Sequence, residues 1–393
     1  MNKCFKVLIL ASHPIQYQCP FFKSFAKHSE VDLNVIYCSD FGLKEYKDKE
    51  FGERIKWDIP LLEGYKSKFL PNLSLSPGLS NFIGLINPSI ITELISGQYD
   101  VLWIHGWNNI TNWLAMLTAF SLGIPVLLRA ETNLLPKGNL LKNFIRKLIF
   151  KNLFKNIAGF LAIGKYNTEF YRSYGIPEEK IFLVPYTVDN NFFISKAQEL
   201  ISRKKELRRK YKMSEELPII LFSGKLIAKK QPLELLKAFE IVSKDVESSL
   251  VFLGDGGLRN EMEAYIKNHD LKNVYLTGFK NQTELPEFYA MSDIFVLPSL
   301  FEPWGLVVNE AMCFGLPVII SNKVGAGGDL IKGGVNGYAF EAANISELAS
   351  YLKDLLQDET KRVQFGQCSR ELIEKWSYKE DILGIVKYLK NCN

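Results

Sequence analysis

The chain has 393 residues, 47% of them hydrophobic, and 48 Lys and Arg against 43 Asp and Glu give a net charge of +5. This is an ordinary globular composition with material for two cores, and a charge so small and dispersed excludes a strongly basic nucleic-acid binder. Six cysteines at irregular spacings without a C-x-x-C pair, and four scattered histidines, make neither a disulfide framework nor a structural zinc site.

The first apolar run, Phe5 to Ala11 in "FKVLILASHP", reads as a strand. It is too short for the core and cleavage region of a signal peptide, and Pro14 interrupts the chain just beyond it. No stretch approaches the ~18 continuous apolar residues that a spanning helix needs. The expectation is a cytoplasmic protein, soluble or peripheral on the inner face of a membrane. The runs "DLNVIYCS", "YDVLWIHG", "IPVLLRAE" and "GFLAIG" come next at βαβ spacing.

Leu140 to Phe160 places Lys142, Arg146, Lys147, Lys151 and Lys155 on one broad helical face and Phe144, Ile145, Leu148, Ile149 and Leu153 on another. A basic amphipathic helix of this kind suits an anionic membrane surface, or equally the core face of an α/β helix with its lysines solvated. Ser195 to Leu217 is charged and helix-favouring with little apolar face. A second series then runs "PIILFSGKL", "SLVFLGDGG", "NVYLTGF", "DIFVLPS" and "LPVIISN", and "YKEDILGIVKYLKN" reads as a terminal helix. The expected fold is α/β, two Rossmann-like doubly wound domains facing across a cleft. Residues 1–194 and 195–375 form the two halves, and 376–393 a helix without an assigned docking partner. In such sheets ligands sit at the carboxyl ends of the strands.

"LFEPWGLVVNEAMCFGLPVII" carries Glu302 and Glu310 eight residues apart in an almost wholly apolar run. Leu306 to Phe314 reads as a helix ended by Gly315 and Pro317, and Pro303 favours an extended Glu302 at or just before its N-terminus. At ~1.5 Å rise per residue the carboxylates lie on the order of 10 Å apart, too far to share a proton, so they suit different parts of one extended ligand. A helix N-terminus between them suits a phosphate. The plainer alternative makes Glu302 a helix-start acid and Glu310 a buried acid paired with Lys or Arg.

The stretch "FEPWGLVVNEAMCFGLPVIISNKVGAGGDLI" resembles the E-x7-E segment of retaining glycosyltransferases of the GT-B fold, in particular glycosyltransferase family 4. "FSGKLIAKKQP", "FLGDGG", "LTGF…LPEFYAMSDIFVLPS" and "YGIPEEKIFLVPYTVDNNFF" extend the resemblance over nearly all of Ile176 to Phe340. It implies that Glu310 binds the ribose of a nucleotide and Glu302 the reacting face of the transferred sugar. It further implies that Lys225 and Lys230 neutralise the departing diphosphate, with lysine at 225 where arginine is more frequent, and that Lys229 is a spectator. Pro303, Trp304, Gly305, Leu306 and Gly254 fall on the same donor side, and Gly278 and Phe279 on the position that meets the base.

In the first half the resemblance implies an acceptor site, with candidates His13 and Gln16 after the first strand and His105 and Asn108 in "HGWNN". Many relatives carry a histidine after the strand equivalent to "PVLLRAE", where this chain has Arg129 and Glu131, two further acceptor-side candidates; the contact that histidine makes to the donor sugar then falls to Glu131 or His105, or is absent. The ordinary structural reading makes His105 a satisfied histidine beside Trp103 and Trp107, and Arg129 and Glu131 partners of each other.

The resemblance therefore implies a retaining hexosyltransferase that moves sugar from a nucleotide-diphosphate sugar to a glycan or lipid-linked acceptor in cell-surface polysaccharide biosynthesis. The co-substrate is the nucleotide sugar. With no D-x-D motif, neither a metal nor another cofactor is expected, and no nucleic acid is an expected partner. Another GT-B enzyme, such as a nucleotide-sugar epimerase, and a catalytically silent nucleotide-sugar-binding subunit are the alternatives.

Overall fold

The computed structural model describes residues 4–48, 50, 52–132 and 149–391. The chain forms two compact α/β units. The first takes Met1–Tyr46, Pro60–Tyr186 and Tyr378–Asn393, the second Lys47–Ile59 and Thr187–Ser377.

The strands of the first half are β1 (Phe5–Ala11), β2 (Val31–Tyr37), β3 (Tyr46–Lys47), β4 (Arg54–Ile55), β5 (Lys66–Phe69), β6 (Val101–His105), β7 (Val126–Arg129), β8 (Gly159–Ala162) and β9 (Ile181–Leu183). All but β3 and β4 make a seven-stranded sheet in the order β5-β2-β1-β6-β7-β8-β9, every pair parallel. Its central strands are buried on both faces, which is why they read as continuous apolar runs. Leu8, Leu10, Leu102, Ile104 and Leu128 point to one core with Phe154, Phe160 and Tyr171. The alternate residues Val7, Ile9, Trp103 and Leu127 point to the other, with Phe21, Phe22 and Phe25.

That second core also receives Ile385, Tyr388 and Leu389 of the terminal helix, Tyr378–Asn391. The helix left without a partner by the sequence thus closes one face of the sheet of the first unit. Of the amphipathic segment residues 149–160 are described: 149–155 are helical, and Gly159 and Phe160 already belong to β8. The helical part turns Phe150, Leu153 and Phe154 into the core, so from there on the apolar stripe is a core face. Residues 140–148 of that segment lie outside the described residues. No helix among the described residues is long and apolar enough to cross a membrane.

In the second unit β10 (Ile219–Ser223), β11 (Ser249–Leu253), β12 (Val274–Leu276), β13 (Ile294–Leu297), β14 (Val318–Ser321) and β15 (Gly337–Phe340) form a six-stranded parallel sheet ordered β12-β11-β10-β13-β14-β15. The strand order reverses beside β10 and β13, which makes their exit loops the crevice where a doubly wound sheet holds its ligand. In the first unit the equivalent loops follow β1 and β6.

The junction expected between residues 194 and 195 falls inside a continuous helix, Asn190–Leu200, whose N-cap Asp189 accepts from the Phe192 N–H. The chain passes between the units earlier, at Tyr186 and Thr187. The charged run Ser195–Leu217 is helical, as its composition favours, but only as far as Lys210, with Leu200 and Leu207 buried and most of its cations outward. Two pieces also belong to the unit remote from their place in the sequence, Lys47–Ile59 and Tyr378–Asn393.

Candidate functional site

The loop after β10 is built on glycines. Gly224 donates its N–H to Leu253 O and Leu226 its N–H to Asp255 O, at 2.9 and 2.8 Å, so the loop lies against the "GDGG" turn that follows β11. At Gly254, φ is +137° and a Cβ would stand 2.1 Å from Gly224 O; at Gly256 it would stand 2.6 Å from Leu226 O. Only glycine allows the two loops to approach this closely. Gly254 also donates to Gly278 O at 2.9 Å, which joins the exit of β12 to the same edge.

Lys225 projects from this loop. Its ammonium lies 2.6 Å from the Glu50 carboxylate and 3.2 Å from that of Asp48. Lys230 ends the short turn Ala228–Lys230 and donates to the Glu302 carboxylate, in an ion pair whose side chains are only 17% and 16% exposed. The two lysines assigned to one diphosphate therefore have separate anionic partners. Lys229 instead places its ammonium over the Phe301 ring.

Glu302 follows β13. Its N–H donates to Lys323 O at 3.0 Å, and its carbonyl accepts from the Gly325 N–H at 3.0 Å. The helix begins immediately beyond, at Leu306–Cys313, one residue shorter than expected because Phe314 is its cap. Gly305, at φ +98°, offers its first turn no side-chain cap, so Glu302 and Lys230 stand beside a helix N-terminus that carries the usual partial positive charge. Leu306 is buried in the first turn. Pro303 O lies so near Gly325 that a Cβ there would meet it at 2.0 Å. Trp304 is turned into the core, its indole donating to Asn309 Oδ1 at 2.9 Å and stacking on Trp376 at 5.5 Å.

Glu310 has no exposed surface. Its Oε2 accepts from the Tyr289 hydroxyl at 2.6 Å, and the Tyr289 ring stacks on Phe314. Nothing in the sequence patterning singles out Tyr289; it lies in "LPEFYAM", which reads as core helix. Phe279 follows Gly278, at φ +74°, and meets the Trp57 ring edge-on at 6.3 Å. Of the segment Lys47–Ile59, sequence reasoning misses Asp48 and Glu50 and places Trp57, the first residue of "WDIPLLEGY", in an acceptor-side loop with the chain up to Pro77, whereas Trp57 belongs to the second unit and meets Phe279.

In the first unit, His13 shares a hydrogen bond with Ser12 Oγ through Nδ1 at 2.9 Å, packs edge-on to Phe41, and is held by burial to a pKa of about 4. His105 stacks on Trp103; burial, then the Arg129 charge, lower it to about 3, and its Nε2 has no hydrogen-bond partner among the described residues. Gln16 is half-buried, and Asn108 is exposed, the capping role for the next helix falling to Asn109. Arg129 is buried, donates to Pro185 O at 3.1 Å and pairs with Asp381 of the terminal helix at 3.7 Å. Glu131 hydrogen-bonds the buried Tyr186 hydroxyl. The two residues therefore do not pair with each other but both hold the segment Pro185–Tyr186, Arg129 tying it in addition to the terminal helix. Among the described residues no cluster of three or more His, Cys, Asp or Glu could hold a metal.

Two parallel doubly wound sheets, the second with a glycine-built loop, two lysines and a helix-start acid at its switch point, define a protein of the GT-B fold. A solved structure of Anabaena Alr3699/HepE in complex with UDP superposes with a TM-score of 0.75 at 18% identity, over 98% of this chain and all of that one. Residues 203–372 match the family described as Glycosyl transferases group 1.

The chain is 33% identical over 181 residues to the sulfoquinovosyl transferase SQD2 of Arabidopsis thaliana, 45% of this chain and 34% of that protein. To the UDP-Gal:alpha-D-GlcNAc-diphosphoundecaprenol alpha-1,3-galactosyltransferase of Escherichia coli it is 24% identical over 362 residues, 88% of this chain and 85% of that protein. The chain spans 34% to 54% of the lengths of the first curated relatives it matches.

Proposed function

We propose that this protein is a retaining, metal-independent glycosyltransferase that transfers a sugar from a nucleoside-diphosphate donor to a glycan or lipid-linked acceptor, at the inner face of a membrane, in cell-surface polysaccharide assembly. The observation that carries the reading is the ion pair of Lys230 with Glu302 beside an uncapped helix N-terminus, at the switch point of the second sheet. UDP is the first donor base to test, since the Anabaena structure holds UDP and the Escherichia coli relative is named for UDP-Gal. That relative's lipid-linked acceptor supports the acceptor class.

In this mechanism the acceptor hydroxyl attacks on the face from which the nucleoside diphosphate departs, and the leaving phosphate takes up the proton. Lys225, Lys230 and the helix terminus meet the charge that develops on the leaving group, where preorganised donors count most. Glu302 faces the transferred sugar, and Glu310 takes the ribose hydroxyls. Gly278 and Phe279 stand beside the base. His13, Gln16, His105 and Asn108 line the acceptor side.

The test is thermal unfolding of the wild type and Glu310→Ala with UDP, GDP, ADP and CDP, with and without Mg²⁺, and then product analysis with the matching nucleotide sugars. A diphosphate at ~100 times its dissociation constant adds roughly 2.7 kcal/mol of stability. The expected result is a shift with one base, independent of Mg²⁺ and lost in Glu310→Ala, and a product that keeps the anomeric configuration. A shift that needs Mg²⁺, or release of an epimerised sugar, overturns the reading.

A further inference from the structure

Residues 47–59, which run from the last residue of β3 through β4 to its exit, belong to the second unit, and the proposed mechanism gives them no role. The turn is fixed by its own bonds: Asp48 N–H to Glu53 O and Gly52 N–H to Asp48 O, both 2.9 Å, and Glu50 N–H to Asp48 Oδ1 at 2.8 Å. It carries two carboxylates to the Lys225 ammonium. The exit is tied down separately. Lys56 O accepts from the Asn281 side chain at 2.6 Å, Asp58 accepts from the Thr283 N–H at 3.1 Å, and Ile55 beneath is buried. Trp57, between these two ties, stands edge-on to Phe279.

The hairpin therefore touches both ends of the donor subsite assigned under the proposed function. One end meets the lysine assigned to the diphosphate with carboxylates, the chemistry that imitates a phosphate. The other meets the aromatic residue beside the base with a second aromatic ring. We propose that Asp48, Glu50 and Trp57 of this segment form a wall of the donor site. In this proposal Asp48 and Glu50 are an exchangeable counter-anion that the donor diphosphate displaces from Lys225, and Trp57 is a specificity-determining residue that packs on the base.

The ordering follows from charge. A lysine 26% exposed between two carboxylates is already neutralised, so an incoming anion must break those pairs before it gains the lysine. The diphosphate of a nucleotide sugar carries two negative charges, as many as the tip it displaces, and is assigned to Lys230 and the helix terminus as well, whereas an uncharged or singly charged ligand cannot replace the tip's charge. The tip thus selects for diphosphates and keeps Lys225 from holding stray anions. The anchored exit stays in place through the exchange, because its bonds are to Asn281 and Thr283 and not to Lys225.

The proposal rests on the donor-site reading, and calorimetric titration of the full chain with UDP and with inorganic pyrophosphate separates the two. In Asp48→Asn/Glu50→Gln both ligands bind more tightly, by about fivefold or more, since a competing anion is gone. In Trp57→Ala, UDP weakens by about fivefold or more while pyrophosphate, which has no base, is unchanged; Trp57→Phe restores much of the UDP affinity and guards against a merely damaged fold. UDP binding by the wild type that is lost in Glu310→Ala, combined with no tightening in the charge variant, overturns the inference and leaves the donor site standing. Equal loss of UDP and pyrophosphate in Trp57→Ala overturns the role of Trp57. A wild type that binds no nucleoside diphosphate overturns both readings.

Discussion

The Tyr289 hydroxyl donates to Oε2 of Glu310 at 2.6 Å inside the second unit, where the glutamate has no exposed surface. A buried carboxylate needs such donors, and removing one costs on the order of 1–3 kcal/mol. Tyr289→Phe is therefore expected to lower the unfolding free energy by about that amount without ligand. If Glu310 takes ribose hydroxyls, those hydroxyls replace the lost phenol, and UDP affinity in Tyr289→Phe stays level or rises while Glu310→Ala loses it. Calorimetric unfolding and UDP titration of the two variants check this. A UDP affinity that falls equally in both would give the tyrosine a direct place in the site.

Lys230 and Glu302 neutralise each other, so removing either leaves a largely buried charge alone. The two variants nonetheless separate in kinetics. Lys230→Ala is expected to lower kcat by about 10²–10³-fold, the cost of losing one preorganised donor to a developing anion, with a smaller change in donor KM. Glu302→Gln keeps the shape and loses the charge, and is expected to lower kcat while UDP affinity holds or rises, since the anion competing for Lys230 is gone. Steady-state kinetics with the nucleotide sugar identified by thermal shift provide the measurement. A Lys230→Ala enzyme with unchanged kcat and raised KM would make the lysine a ground-state contact only.

The ten strands read from apolar runs are all present, because a parallel sheet buried on both faces writes itself as unbroken β-branched and aromatic stretches. The strands that escaped are those without that signature. β5 is "KSKF", with alternate residues exposed, and β15 is "GYAF", an edge strand with Ala339 exposed. β9 is three residues long, and the short hairpin β3–β4 buries Ile55. The site was legible where its residues share one local motif, as Glu302, Gly305 and Glu310 do. Glu50 reaches Lys225 across 175 residues of sequence, and Trp57 meets Phe279 across a longer span still. Such pairings are set by topology, not by periodicity. The same holds for Arg129, whose partner is Asp381 of the terminal helix and not the neighbouring Glu131.

Gly254 is the tightest point under the loop that follows β10. A methyl group there would stand 2.1 Å from Gly224 O, and the backbone sits at φ +137°, so the loop that carries Lys225 has to move. Gly254→Ala is expected to destabilise the second unit by about 1–3 kcal/mol and to weaken UDP more than tenfold. Gly257→Ala, where a Cβ meets nothing within 4 Å, is the control and is expected to be near neutral. Unfolding curves and UDP titrations of both variants decide it. Equal effects of the two substitutions would show that the close approach of the loops is not what the glycine provides.

His13 and His105 make stability depend on pH in a defined window. Burial holds them to pKa values of about 4 and about 3 in the folded protein, against an ordinary value of 6.5. Below pH 6.5 the unfolded chain takes up protons at both rings while the folded chain does not, so the unfolded state binds more protons and stability falls as pH falls. The loss approaches about 1.4 kcal/mol per pH unit for each histidine and ends only where the folded rings protonate. Between pH 6.5 and 5, above the main carboxylate range, the melting temperature of the wild type is expected to drop steadily. His13→Gln, which leaves the stacked His105 in place, is expected to remove close to half of that slope. Melting curves at constant ionic strength across this window supply the check, and a flat wild-type profile, or an unchanged slope in His13→Gln, would mean that the ring takes up its proton without leaving the fold.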